Sequence, residues 1–154
     1  MSVEGARIMR KSAMMMLAAV AGLAAAGSMS SAASLPQAPG RYTAEQAAHG
    51  AQVYAQACAM CHKEDLGGDF DTPPLVGRFA RNWSGSTLAS LADYLHRAMP
   101  EFAPGSLSAQ DNADVLAYLL QANGEPAGAR ALPSDPSALA GMPFRADHSS
   151  ASRP

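Results

Sequence analysis

Five residues constrain this chain more than any others: Cys58-Ala59-Met60-Cys61-His62. A C-x-x-C-H run has the spacing at which a c-type haem is attached covalently. Each thiol adds to one vinyl group of the porphyrin, and the histidine that follows is held under the iron as proximal ligand. A chain built around such a site has to enclose a large flat apolar group and offer the iron a second ligand.

Three other uses of the pair need weighing. A zinc site takes four ligands, and Cys58 and Cys61 are the only cysteines, so His49, His96 or His148 would have to complete it. A redox dithiol belongs at a helix start beside βαβ patterning, and no Val/Ile-rich strand run is present. A structural disulfide would close a very short loop and contribute little.

Residues 1–33 have the make-up of a targeting segment. Arg7, Arg10 and Lys11 form a positive end, Ala13 to Ala26 is an uncharged apolar run, and Ser31-Ala32-Ala33 offers small residues for cleavage before Ser34. The run is shorter than the roughly 18 residues of a membrane span, and contact with a membrane is expected only if the segment stays uncleaved. Export to the periplasm suits the motif, because bacterial c-type haem is attached outside the cytoplasm. Beyond residue 33, eight Lys and Arg face twelve Asp and Glu, a formal charge of −4. That balance argues against nucleic acid and against an anionic membrane surface as partner.

The periodicity beyond that point is helical. Residues 34–42, with Pro36, Pro39 and Gly40, form a lead-in linker. Thr43 with Gln46 three residues on is a capping-box pattern, and Ala47, Gly50, Ala51, Tyr54, Ala57 and Cys58 follow at helical spacing. Gly50 inside that helix implies a close crossing by another helix, predicted to bring Tyr118 over Gly50 beside Tyr54. His49 lies off this face and is expected in solvent. Lys63 to Asn82 is irregular, and Asp65, Asp69 and Asp71 are assigned to a surface loop, since the spacing and closing Glu of a calcium loop are missing. Within it, the carbonyl of Pro73 is a candidate acceptor for the Nδ1 proton of His62. Trp83, the single tryptophan, carries an N–H that needs a partner if buried, a haem propionate being one candidate and plain core packing the other.

Ser86 or Thr87 caps a second helix with Leu88, Leu91 and Leu95 on one stripe, ended by Met99-Pro100. Met99 therefore stands at a helix-to-loop corner and is the preferred sixth ligand. His96, one turn earlier, is the rival and would give a bis-histidine iron. Ser108 and Asp111 open a third helix carrying Val115, Tyr118, Leu119 and Ala122, stopped by Asn123-Gly124. Residues 125–154 are rich in Ala, Pro, Gly and Ser and are expected to form an extended strap through Phe144 with a disordered end.

Taken in order, Gly50 and Tyr54, Cys58-x-x-Cys61-His62, Pro73-x-Leu75-x-Gly77, Met99-Pro100 and Tyr118 make residues 43–124 resemble a class I cytochrome c. The runs Pro104-Gly105-Ser106-Leu107-Ser108 and Ala113-Asp114-Val115-Leu116-Ala117-Tyr118 are most similar to the cytochrome c domains and subunits of quinoprotein (pyrroloquinoline quinone) alcohol dehydrogenases. The resemblance implies an all-α fold of three to four helices around one covalently bound haem c. It implies that Cys58 and Cys61 hold the haem, that His62 and Met99 ligate its iron, and that Pro73 accepts from His62; Tyr54 and Trp83 stand beside these as candidate cofactor contacts. The function it implies is one-electron transfer from a dehydrogenase towards a terminal oxidase, with no catalytic residues of its own; a fixed subunit of a dehydrogenase and a haem enzyme or sensor with an open sixth site are the alternatives. Docking through a ring of lysines is not expected, because Lys63 is the single lysine beyond the targeting segment.

Overall fold

The computed structural model describes residues 40–145. Residues 1–39, with the expected targeting segment, and the chain beyond residue 145 lie outside the described residues. Six helices follow in chain order: α1 (Ala44–Ala57), α2 (Ala59–His62), α3 (Arg78–Trp83), α4 (Leu88–Ala98), α5 (Ala109–Ala122) and α6 (Pro136–Leu139). The described residues contain no strand, and the sole β-type pairing among them is an isolated bridge between Thr87 and Pro143. No described helix is long and apolar enough to cross a membrane.

The helix starts follow from short polar side chains that accept from orphan backbone N–H groups. Thr43 Oγ1 accepts from the Gln46 N–H at 3.1 Å, Thr87 Oγ1 from Ser90 at 3.1 Å, and Ser108 Oγ from Asp111 at 3.0 Å. Ser108 Oγ also donates to the Asp111 carboxylate at 2.8 Å, placing a negative charge in the first turn of α5.

Packing is centred on α1 against α5, with α4 laid on α5 and α6. The contact that lets α1 and α5 approach is at Gly50, where a Cβ would stand 1.8 Å from the Asp114 carbonyl oxygen. The crossing therefore falls on Asp114 and Val115, and not on Tyr118 as the spacing had suggested. Tyr118 instead meets Tyr54 one turn further along α1, with ring centroids 5.3 Å apart. Both tyrosines are displaced by one helical turn from the crossing, because the two helices pass backbone to backbone at the glycine.

Three other expectations are corrected. The stretch from Lys63 to Asn82 is not irregular throughout, since α3 occupies its end and buries Phe79 and Ala80. Residues 40–42 are not linker: Tyr42 is wholly buried and donates its hydroxyl to the Glu125 carbonyl, and Arg41 pairs with the Glu125 carboxylate. The strap is interrupted by α6, which Asp135 caps by accepting from the Ser137 N–H at 2.9 Å.

Residues 125–145 belong to the core. Leu132, Leu139 and Phe144 are buried, and Phe144 meets Phe79 edge-on at 5.9 Å. Gln46 exchanges two hydrogen bonds with the Leu132 backbone, at 3.0 and 2.7 Å, and the Phe144 N–H donates to Ser86 at 2.8 Å. These long-range pairings close the return segment over α1 and α4.

Candidate haem-binding site

A cavity of about 650 Å³ opens between α2, the loop after it, α4 and α5. That volume is within the range of about 300–1,000 Å³ usual for cofactor sites. Its floor and walls are apolar: Leu75, Phe79, Leu91, Leu95, Val115 and Leu119. Cys58 and Cys61 both line it as free thiols, Cys58 half-buried and Cys61 exposed. Burial, and then the neighbouring Cys61, push the Cys58 thiol up to about 11, so it stays protonated at neutral pH.

His62 is buried and lines the same cavity. Its Nδ1 lies 3.0 Å from the Pro73 carbonyl oxygen. A carbonyl can only accept, so Nδ1 carries the proton and Nε2 is left as the free lone pair. The Pro73 carbonyl is in turn placed by its neighbours. The Leu75 N–H donates to Leu66 at 2.8 Å, and the Leu75 carbonyl accepts from Asn123 Nδ2 at 2.9 Å. Gly68 sits at φ +64°, where a Cβ would lie 2.2 Å from the Thr72 carbonyl oxygen, so the loop doubles back tightly enough to face His62. The aspartates of this loop are local turn-formers at the surface: Asp65 accepts from Gly67, and Asp69 from Asp71 and Thr72.

Met99 lines the cavity from the end of α4. Leu91 and Leu95 share one face of α4, and Met99 follows four residues on as its extended C-cap. His96 is turned about 100° from Leu95. It lines a separate groove of about 140 Å³ with Ala92, Asn112 and Leu139. The two rival ligands thus face different cavities.

Trp83 and Tyr54 both line the main cavity. Trp83 packs against Phe79 at 6.2 Å and Tyr94 at 5.8 Å between ring centroids. The Tyr54 hydroxyl donates to the Lys63 carbonyl at 2.6 Å, so its polar end is spent on the backbone just beyond His62. Phe79, Tyr94 and Phe102 also line the cavity and were not singled out from sequence. Tyr94 lies three residues from Leu91, so the α4 stripe held the signal for it, whereas Phe102 stands in a loop without periodicity. Away from the cavity, His49 is not simply solvated: its Nδ1 lies 2.7 Å from the buried Asp114 carboxylate.

The donor set suits a haem. Two unpaired thiols, an imidazole with one nitrogen already bonded, and a thioether all border one apolar space. Residues 45–119 match the family described as cytochrome c oxidase, cbb3-type, subunit III. The chain is also 34% identical over 91 residues to a thiosulfate dehydrogenase of Stutzerimonas stutzeri (strain A1501), covering 54% of this chain and 30% of that protein. It therefore spans under a third of the length of that relative. No solved structure matches the chain significantly. The match over residues 45–119 and the all-α fold identify this part of the chain as a cytochrome c domain, an electron-transfer module carrying covalently bound haem c.

Proposed function

We propose that the protein is an exported, periplasmic one-electron carrier whose haem is attached through Cys58 and Cys61 and whose iron is held by His62 and Met99. The observation that carries this reading is the gathering of those four side chains around one apolar cavity while His96 lines another. Haem supplies a one-electron iron couple when bound. The chain's part is to hold and shield it. Pro73 keeps the His62 proton on Nδ1, fixing the ring and raising its basicity. Met99 would supply the iron with a thioether ligand besides the imidazole, which would leave no site for oxygen or peroxide and raise the potential. Leu75, Leu91, Leu95 and Leu119 exclude water, while Tyr54 and Trp83 serve as wall.

The donor in this reading is a dehydrogenase and the acceptor a terminal oxidase or another cytochrome. The resemblance to quinoprotein alcohol dehydrogenase cytochromes and the likeness to a thiosulfate dehydrogenase both support a dehydrogenase as neighbour. The likeness to that enzyme also favours a second reading, in which the chain works as part of a dehydrogenase. Purified holoprotein separates the readings. A carrier stays low-spin under carbon monoxide, exchanges electrons rapidly with small redox reagents, and is not reduced by thiosulfate alone. Rapid carbon monoxide binding would contradict the carrier, and reduction by thiosulfate would favour the second reading.

A further inference from the structure

The side chains that line the haem cavity and also reach solvent form its mouth. Three are large and apolar: Met60 is 73% exposed, Phe102 66% and Tyr94 37%. Large apolar side chains exposed around one opening are the kind of surface that marks an interaction site. The Asp, Glu, Lys and Arg side chains among the lining residues are Asp71 and Glu101 alone, both exposed carboxylates. Phe70, wholly exposed, precedes Asp71 in the chain.

Of the cations on adjoining segments, Lys63 and Arg97 are already paired, whereas Arg78 and Arg81 on α3 stand in no ion pair of the described residues. Lys63 pairs with Asp69 at 2.8 Å, and Arg97 pairs with Asp93 at 2.8 Å while lying over the Tyr94 ring. Neither carboxylate of the mouth has a basic partner among the ion pairs of the described residues.

We propose, resting on the carrier reading, that this mouth docks a redox protein presenting Lys and Arg around an apolar centre. The carboxylates steer such a partner by long-range attraction, and the Met60, Tyr94 and Phe102 surface provides the contact across which the electron passes. An anionic membrane is disfavoured as occupant, because Asp71 and Glu101 would face like charge. The arrangement inverts docking through a lysine ring, where the cytochrome itself carries the cations.

Holoprotein is tested with three oxidants: tris(phenanthroline)cobalt(III) as cation, hexacyanoferrate(III) as anion, and a lysine-rich c-type cytochrome as protein. Raising ionic strength from about 0.01 M to about 0.1 M shortens the Debye length from about 30 Å to about 10 Å. The second-order rate with the two cationic oxidants is expected to fall about tenfold over that interval, and the rate with the anion to rise. Asp71→Asn with Glu101→Gln is expected to remove most of the salt dependence for the cationic oxidants, the absorption spectrum serving as control for an intact site. Phe102→Ser with Met60→Ser is expected to slow the protein oxidant several-fold while leaving its salt slope unchanged. Fast exchange with all three oxidants that is indifferent to both double variants overturns the docking surface alone. Carbon monoxide binding to the wild type, or exchange with none of the oxidants, overturns the carrier reading and the docking surface with it.

Discussion

The Nδ1 atom of His62 lies 3.0 Å from the carbonyl oxygen of Pro73. The acceptor is a backbone group, so no side-chain replacement removes it; it can only be displaced by loosening what holds the loop. Asn123 does much of that holding, donating to Leu75 at 2.9 Å and to Leu119 at 2.8 Å from a buried position. Asn123→Ala removes both bonds and leaves one carbonyl of the loop unpaired. A loss of about 2 kcal/mol is expected, at about 1 kcal/mol for each neutral bond. The reduction potential is expected to rise, because a less firmly bonded imidazole donates less to ferric iron. Urea titration and a redox titration of the same variant check the two effects.

Gly50 is the second sensitive position. In Gly50→Ala the new methyl would meet the Asp114 carbonyl at 1.8 Å, backbone that no rotamer change can relieve. Overpacking of this kind costs about 1–3 kcal/mol, here at the upper end, while helix propensity returns about 1 kcal/mol. A net destabilisation of about 2 kcal/mol is expected, seen as a lower urea midpoint with an unchanged slope. A neutral or stabilised variant would show that α1 and α5 are not in backbone contact there.

Much of the helical frame was legible because its signals are local. Thr43, Ser108 and the Leu88, Leu91, Leu95 stripe act within one or two turns, and the structure places caps and a buried face there. The relation between His62 and Pro73 spans only eleven residues, and a motif fixes one end of it. Helix α3 escaped notice because it is six residues long and starts at Gly77 without a side-chain cap. The return segment was expected as a strap through Phe144, but its points of attachment were not legible. Gln46 meets Leu132, and His49 meets Asp114, across 86 and 65 residues, and nothing in either neighbourhood marks its distant partner. The Gly50 crossing was expected one turn out of place, since a glycine announces close approach without naming what approaches.

Gln46 tests the return segment directly. Its side chain is buried and both its polar atoms are bonded to Leu132. Gln46→Ala leaves an N–H and a carbonyl without partners, and a loss of about 2–3 kcal/mol is expected. Limited proteolysis should then cut within residues 125–145 well before the rest of the domain. Simultaneous loss of all segments would instead mean that the return segment opens only on global unfolding.

At alkaline pH Tyr42 gives the stability a pH dependence of definite sign. Burial, and then the charge of Glu125, raise its phenol above the ordinary value of 10.0. A raised value means that the folded state favours the protonated phenol. The corresponding stability is complete below pH 10 and is lost as pH climbs through the raised value. Tyr42→Phe should lower stability at pH 7 by about 1 kcal/mol, through the lost hydrogen bond to Glu125. Above pH 10 its stability should decline less steeply than that of the wild type, as read from urea midpoints across pH.

The central claim is that His62 and Met99 hold the iron, and the ferric absorption spectrum of the exported holoprotein tests it most directly. The wild type and His96→Ala are predicted to share the sulfur-to-iron charge-transfer band, and Met99→Ala to lose it with a fall in potential. A wild type without that band, or a band that survives Met99→Ala, would contradict the account.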